Sequence, residues 1–232
     1  MNKSLINMRK TLVGILAIST ICFIKQVEAG IALGATRVVY PAEQKQVQLP
    51  VTNSDDSTYL IQSWIENSDG IKDTSFIMTP PLFAMQGKKE NILRIINTKN
   101  NNLPRDRETL FWVNVKAIPS MEKSKQTENT LQLAIISRIK LYYRPIGLSI
   151  PPDQAASHLR FGRSKNLLTL INPTPYYITV TELSMGPRIL DNVLVPPMGE
   201  NTVKIPANTE GEISFRTIND YGSLSPKLIG SD

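Results

Sequence analysis

Apolar and polar residues alternate with a period of two along most of this chain, which is the pattern of half-buried β-strands. The 3.6-residue period of an amphipathic helix is nearly absent. In the first half, the segments that predict strands are residues 36–40, 45–52, 59–66, 75–79, 91–97, 108–117 and 131–143. Seven short strands at this spacing, separated by turn-forming clusters and with Trp64 inside the third, predict an immunoglobulin-like β-sandwich.

A second series of alternating segments begins after Pro145 and the pair Pro151-Pro152. Its members are residues 167–172, 177–183, 193–196, 201–205 and 212–218. The pattern therefore predicts an all-β protein with two domains, over residues 30–145 and 146–232, joined near residues 144–152. Both lengths are normal for a single domain.

The strand predicted within LQLAIISRIKLYYRP, residues 131–145, has apolar residues on both faces. They are Leu131, Leu133, Ile135 and Ile139 on one face and Ala134 and Ile136 on the other. A central strand buried on both sides would explain them. The alternative is an edge strand whose apolar row is kept for a partner, because edge strands normally carry features that prevent pairing. The residues alone leave both interpretations open.

Two cations, Arg37 and Lys140, also belong to apolar strands. A buried cation is costly unless an anion meets it, although long basic side chains often reach solvent past their apolar stems. Composition alone does not place these two residues together.

The first 29 residues have the pattern of a signal peptide. Lys3, Arg9 and Lys10 precede an apolar segment over residues 12–24, and Val27-Glu28-Ala29 fits a cleavage site before Gly30. A membrane anchor is the alternative, but a span needs about 20 apolar residues. We therefore expect an exported protein that is not embedded in the membrane, with Met1 or Met8 as its first residue.

Composition argues against several functions. The single Cys is Cys22, so the chain after residue 29 has no disulfide and no thiol nucleophile. Without the four basic residues and one acidic residue of the first 29, the net charge falls from +6 to +3, which is too mild for a nucleic-acid partner. One histidine, His158, cannot form a zinc cluster, and no Gly-x-Ser-x-Gly or phosphate-binding loop is present. We expect no catalysis, no metal and no cofactor.

Several motifs, in order along the chain, resemble those of the periplasmic pilus chaperones, and within that family those of the type 1 pilus branch. They are TRVVY at residues 36–40, LPRDRETLFWVNV at 103–115, IKLYYRP at 139–145, NPTPYY at 172–177 and INDYG at 218–222. The resemblance covers essentially all of residues 30–232. The segment at residues 121–130 is short and lacks cysteine, as in the short-loop chaperones of rod-like pili.

The resemblance implies two immunoglobulin-like domains in a boomerang arrangement and a folding chaperone without enzymatic activity. Its partners would be pilus subunits, including a tip adhesin, and an outer-membrane usher in the periplasm. The donor strand would be Leu131, Leu133 and Ile135, which fill the groove of a subunit that lacks its last strand. Such donor-strand complementation is itself a standard example of β-strand addition.

The same resemblance assigns two charged sites. Arg37 and Lys140 would bind the C-terminal carboxylate of the subunit, and an interdomain ion network would comprise Glu108, Arg144 and Asp220. Two other classes stay possible from the residues, a pilin or adhesin subunit and a secreted hydrolase. The missing cysteines and the two domains argue against the first, and the missing nucleophile and base argue against the second.

Overall fold

Seventeen strands and one 3₁₀ turn make up the regular structure of residues 30–98, 103–120, 131–207 and 209–230, which the computed structural model describes. The strands of the first half are β1 (Ile31–Leu33), β2 (Arg37–Pro41), β3 (Gln46–Asn53), β4 (Tyr59–Asn67), β5 (Phe76–Thr79), β6 (Leu82–Met85), β7 (Lys89–Asn97), β8 (Thr109–Pro119) and β9 (Ile135–Arg144). The 3₁₀ turn is Pro152–His158. The strands after it are β10 (Arg160–Ser164), β11 (Leu167–Asn172), β12 (Ile178–Met185), β13 (Arg188–Ile189), β14 (Val193–Val195), β15 (Gly199–Lys204), β16 (Ile213–Thr217) and β17 (Leu228–Ile229).

The first nine strands form a β-sandwich. One sheet has the order β1-β3-β7-β5 and the other has the order β2-β9-β8-β4-β6. Alternate residues of each strand face the space between the sheets; in β8 these include Phe111, Val113 and Val115, all nearly inaccessible to solvent. Every pairing in this sandwich is antiparallel except that of β2, which runs parallel to β9.

The last eight strands form a second sandwich with its own core. Its sheets are β10-β11-β15 and β13-β12-β16-β17, and β14 also pairs with β12. Leu168, Leu170, Val180 and Leu183 are completely buried between them. The predicted all-β class is therefore confirmed, whereas the position of the domain boundary at residues 145 and 146 stays a prediction.

One expectation within the first sandwich was wrong in detail. The last strand begins at Ile135 rather than at residue 131, because its neighbour β8 ends at Pro119, which has no backbone N–H to continue the ladder. Trp64 lies within β4 and faces outward, since its neighbours Ser63 and Ile65 face the core.

The predicted signal peptide and the segment at residues 121–130 lie outside the described residues. Within the described part of the chain, no helix has the length and apolar character needed to cross a membrane.

Candidate functional site

The first half of β9 has a neighbouring strand on one side only. Strand β8 pairs with β9 from Ile135 to Tyr143, but β2 pairs with it only from Lys140 to Arg144. Within the described residues, the backbone edge of Ile135–Ile139 opposite β8 is therefore open. An open edge presents unpaired N–H and C=O groups that another strand can bind.

An exposed row of apolar side chains accompanies this open edge. Leu131, Leu133 and Ile135 are 85%, 67% and 68% accessible to solvent. They continue the odd-numbered positions of Ile139 and Leu141, which pack into the core of the first sandwich. Of the two interpretations of this segment, burial on both faces does not hold, because these three side chains and Ile136 on the other face are all exposed.

Arg37 and Lys140 are direct neighbours at the point where the open edge ends. They are register partners in the parallel pairing of β2 with β9. Arg37 is only 9% exposed, and its Nη1 donates to the Ile218 carbonyl at 3.1 Å while its Nε has no hydrogen-bond partner. Lys140 Nζ donates to Thr179 Oγ1 at 3.1 Å. No carboxylate of the described residues lies within ion-pair distance of either cation.

The electrostatics of Lys140 follow from that arrangement. Partial burial, with a further contribution from the charge of Arg37, lowers the pKa of Lys140 to about 8. Both causes disfavour the charged ammonium group. A carboxylate at this position would offset the repulsion and stabilise the charged form, so the pair has the chemistry of an anion-binding site.

Glu108, Arg144 and Asp220 form one network between the two sandwiches. Arg144 donates from Nε to Glu108 Oε1 at 2.7 Å and from Nη1 and Nη2 to both oxygens of Asp220 at 2.6 and 2.8 Å. Glu108, 3% exposed, also accepts a bond from the backbone N–H of Tyr177 at 2.8 Å. The bidentate geometry is the strong form of an arginine–carboxylate pair.

Burial and pairing oppose each other in this network. Burial raises the pKa of Glu108, and the Arg144 charge together with the Tyr177 N–H offsets part of that rise. Burial alone would lower the pKa of Arg144, but its bonds to Asp220 and Glu108 outweigh burial and raise it. Arg144 therefore stays charged at any pH that the fold survives.

Sequence reasoning missed a cluster on the outward face of the first sandwich, which we call the tryptophan cluster: Trp64, Glu66, Trp112 and Arg138. Arg138 Nη2 lies 3.1 Å from Glu66 Oε2, and Trp64 Nε1 donates to Glu66 Oε1 at 2.8 Å. The Arg138 guanidinium lies 4.6 Å from the centre of the Trp112 ring. The sequence does place Arg138 on the same face of its strand as Lys140, because the two residues are two positions apart.

His158, the single histidine, lies on the exposed face of the 3₁₀ turn, with Nδ1 at 3.0 Å from the Gln154 carbonyl. Among the described residues, no three His, Cys, Asp or Glu side chains are grouped in a way that could hold a metal ion.

Two family matches cover most of the chain. Residues 30–149 match the family described as "Pili and flagellar-assembly chaperone, PapD N-terminal domain", and residues 154–228 match "Pili assembly chaperone PapD, C-terminal domain". The chaperone protein FimC of Escherichia coli K12 is 66% identical, with 99% of each chain covered. The chaperone protein FocC of Escherichia coli is 62% identical, with 90% of this chain and 92% of FocC covered.

Solved structures of chaperones are also similar to this chain. The crystal structure of the periplasmic chaperone SfaE has 60% sequence identity and a TM-score of 0.78, covering 87% of this chain and 99% of SfaE. The SafB chaperone in its complex with the SafA pilin of Salmonella enterica has 32% identity and a TM-score of 0.80, covering 88% of this chain and 97% of that one.

Proposed function

Because this chain belongs to the PapD family of pili-assembly chaperones, we propose that it captures pilus subunits by lending them the first half of β9 as a missing strand. The observation that carries the proposal is the coincidence of three features on one segment. They are an open backbone edge, an exposed apolar row and a pair of cations with no carboxylate of the described residues within ion-pair distance.

The backbone edge supplies affinity that does not depend on the sequence of the subunit. A guest strand beside Ile135–Ile139 would pair its N–H and C=O groups with those of β9, as in other cases of β-strand addition. The family relative SafB is seen with a pilin, which supports a pilin as the guest here.

The apolar row supplies the driving force. Leu131, Leu133 and Ile135 are largely exposed in the free protein, and full burial of such a side chain contributes about 1.5–3 kcal/mol. Only part of that sum appears as affinity, since association also costs translational and side-chain entropy. Alternation restricts the register, because a slip by one residue would turn the row away from the groove of the subunit.

The cations determine the direction of the guest strand. A strand that runs parallel to β9 ends beside Lys140 and Arg37, so its terminal carboxylate reaches both of them. An antiparallel strand would bring its N-terminal amine to the same place, where two positive charges repel it. Charge therefore favours a parallel guest with a free C-terminus, and charge-assisted hydrogen bonds to that terminus fix the register.

The network of Glu108, Arg144 and Asp220 holds the second sandwich so that it completes the site. Thr179 and the Ile218 carbonyl, which orient Lys140 and Arg37, belong to that sandwich. The ion network and the anion site therefore depend on the same contact between the sandwiches.

In this function the protein is a folding chaperone and not an enzyme. It acts in the periplasm after export, receives pilus subunits including a tip adhesin, and delivers them to an outer-membrane usher. No nucleic acid and no cofactor takes part.

Co-expression with candidate pilins tests the proposal. We expect a one-to-one complex to co-purify with the unmodified chain at physiological salt. Arg37→Ala and Lys140→Ala should fold and lose the complex, because removal of one partner of a buried charge pair costs about 2–5 kcal/mol of binding. Retention of the complex by both variants would contradict the carboxylate anchor.

A further inference from the structure

The tryptophan cluster connects three adjacent strands on the outward face of the sheet. Arg138 on β9 is the register partner of Asn114 on β8, and Asn114 is paired in turn with Trp64 on β4. The Arg138 side chain passes over β8, where it stacks on Trp112, and reaches Glu66 on β4. Both carboxylate oxygens of Glu66 are engaged, one by Arg138 and the other by the Trp64 indole.

Arg138 occupies a particular place on its strand. It lies in the half of β9 whose only described neighbour is β8, three residues after Ile135 and two before Lys140. The other half, from Lys140 onward, is held on both sides by β2 and β8. A strand with a ladder on one side frays more readily than one with two.

We infer that Arg138 is a positioning residue, which ties the open half of β9 across β8 to Glu66 and keeps it extended before a subunit arrives. This inference rests on the proposed function, since it concerns how the donor half of β9 is prepared for capture. A strand already held in its bound form loses less conformational entropy on binding, so its affinity is higher.

Arg138 and its contacts lie outside the apolar core of the first sandwich. Arg138 is 44% exposed in its side chain and is outside the apolar cluster that stabilises the first sandwich. Its loss should therefore loosen one segment and leave the fold intact. The planar guanidinium both pairs with the carboxylate and stacks on the indole, which a lysine ammonium does less well.

The test compares Arg138→Gln, Arg138→Lys and a control, Arg216→Gln. Arg216 pairs with Glu182 at 3.0 Å on the second sandwich and has a similar side-chain exposure of 37%. Amide hydrogen exchange of residues 135–139 is the direct readout. Tryptophan emission is a second one, because the two tryptophans of the sequence, Trp64 and Trp112, are both members of the cluster.

Capture is measured with two synthetic peptides that alternate Val and Thr, one with a free C-terminal carboxylate and one with a C-terminal amide. For Arg138→Gln we expect about three- to tenfold faster exchange at residues 135–139, a changed emission spectrum and about three- to tenfold weaker binding of the free-acid peptide. Arg138→Lys should lie between this variant and the unmodified chain, and Arg216→Gln should match the unmodified chain.

The two hypotheses fail in different ways. If the unmodified chain does not prefer the free-acid peptide to the amide, the proposed anchor is wrong, while exchange at residues 135–139 still decides whether the tie exists. If that preference is present but Arg138→Gln exchanges and binds like the unmodified chain, the tie is overturned. A uniform increase of exchange across both sandwiches in Arg138→Gln would also overturn it, because the role would then be general stability.

Discussion

Replacement of Lys140 by methionine should make the free protein more stable and the chaperone inactive. Methionine keeps the unbranched stem and removes the ammonium group, which is partly buried beside Arg37 and has no carboxylate of the described residues within ion-pair distance. The pKa of Lys140 is lowered from 10.5 to about 8, and after a discount for the solvent that still reaches the group, the charged form costs the fold about 1–2 kcal/mol. We expect Lys140→Met to recover most of that free energy.

The sign of the pH dependence follows from the same shift. The folded pKa of Lys140 lies below the unfolded one, so the unfolded chain binds more protons between about pH 8 and pH 10.5. The cost of the charge is therefore fully present below pH 8, shrinks as the pH rises through that window and is absent above it. The stability gap between Lys140→Met and the unmodified chain should shrink in the same window.

Urea unfolding at pH 7 and pH 10 measures this gap. Lys116→Met is the matched control, because Lys116 lies on the outward face of the neighbouring strand β8, and a surface change there should alter the free energy of unfolding by less than about 0.5 kcal/mol. Subunit capture by Lys140→Met at pH 7 should be lost. The reasoning is refuted if Lys140→Met is less stable than the unmodified chain at pH 7, or if the gap is the same at both pH values.

Three further predictions concern the rest of the site. Leu133→Glu should change the free energy of unfolding by less than about 0.5 kcal/mol, since Leu133 is 67% exposed. It should nevertheless abolish co-purification of a subunit, and stable accumulation of subunits with this variant would contradict the proposed donor row. Arg37→Gln should weaken binding of a free-acid peptide far more than binding of its amide, measured by titration, and equal losses would argue against a carboxylate ligand. Arg144→Ala should destabilise the protein by about 3–5 kcal/mol in urea unfolding, because it leaves the buried Glu108 without its cation. Adding Glu108→Gln to this variant should restore part of the lost stability. If it restores none, the unpaired charge of Glu108 is not the cause of the destabilisation.

The sequence was most informative where strands are long and regular. Period-two patterns placed β4 and β8 within one or two residues of their observed ends, because alternate residues of both strands are buried in the core, as in β8 from Phe111 to Ala117. Strands such as β13 and β17 have two residues each, too few to show any period. The start of β9 at Ile135 depends on where a separate strand, β8, ends, and no local pattern contains that information.

The candidate site also depends on contacts between distant parts of the chain, which local sequence patterns do not show. The residue types alone suggested that Arg37 and Lys140 need an anionic partner if they are buried. That the two lie side by side depends on a parallel pairing between strands far apart in sequence. The family resemblance supplied the pairing that periodicity could not. No role was assigned to Arg138 from the sequence, because its role depends on contacts to Trp112 on β8 and Glu66 on β4, which are distant from it in sequence.

The features that lower the stability of the free protein are the same ones that allow it to bind a guest strand. Leu131, Leu133 and Ile135 stay exposed, and within the described part of the chain Arg37 and Lys140 have no carboxylate at ion-pair distance, so folding alone stabilises neither group fully. One strand with a free carboxylate would satisfy both at once, and it binds the folded chain but not the unfolded one. Its binding must therefore raise the stability of the chaperone, by about 2.7 kcal/mol when the free guest is at 100 times its dissociation constant. A peptide with a C-terminal amide covers the row but not the cations, so at equal concentration it should raise the melting temperature less. An equal rise would show that the carboxylate contributes nothing to binding and would contradict the proposed anchor.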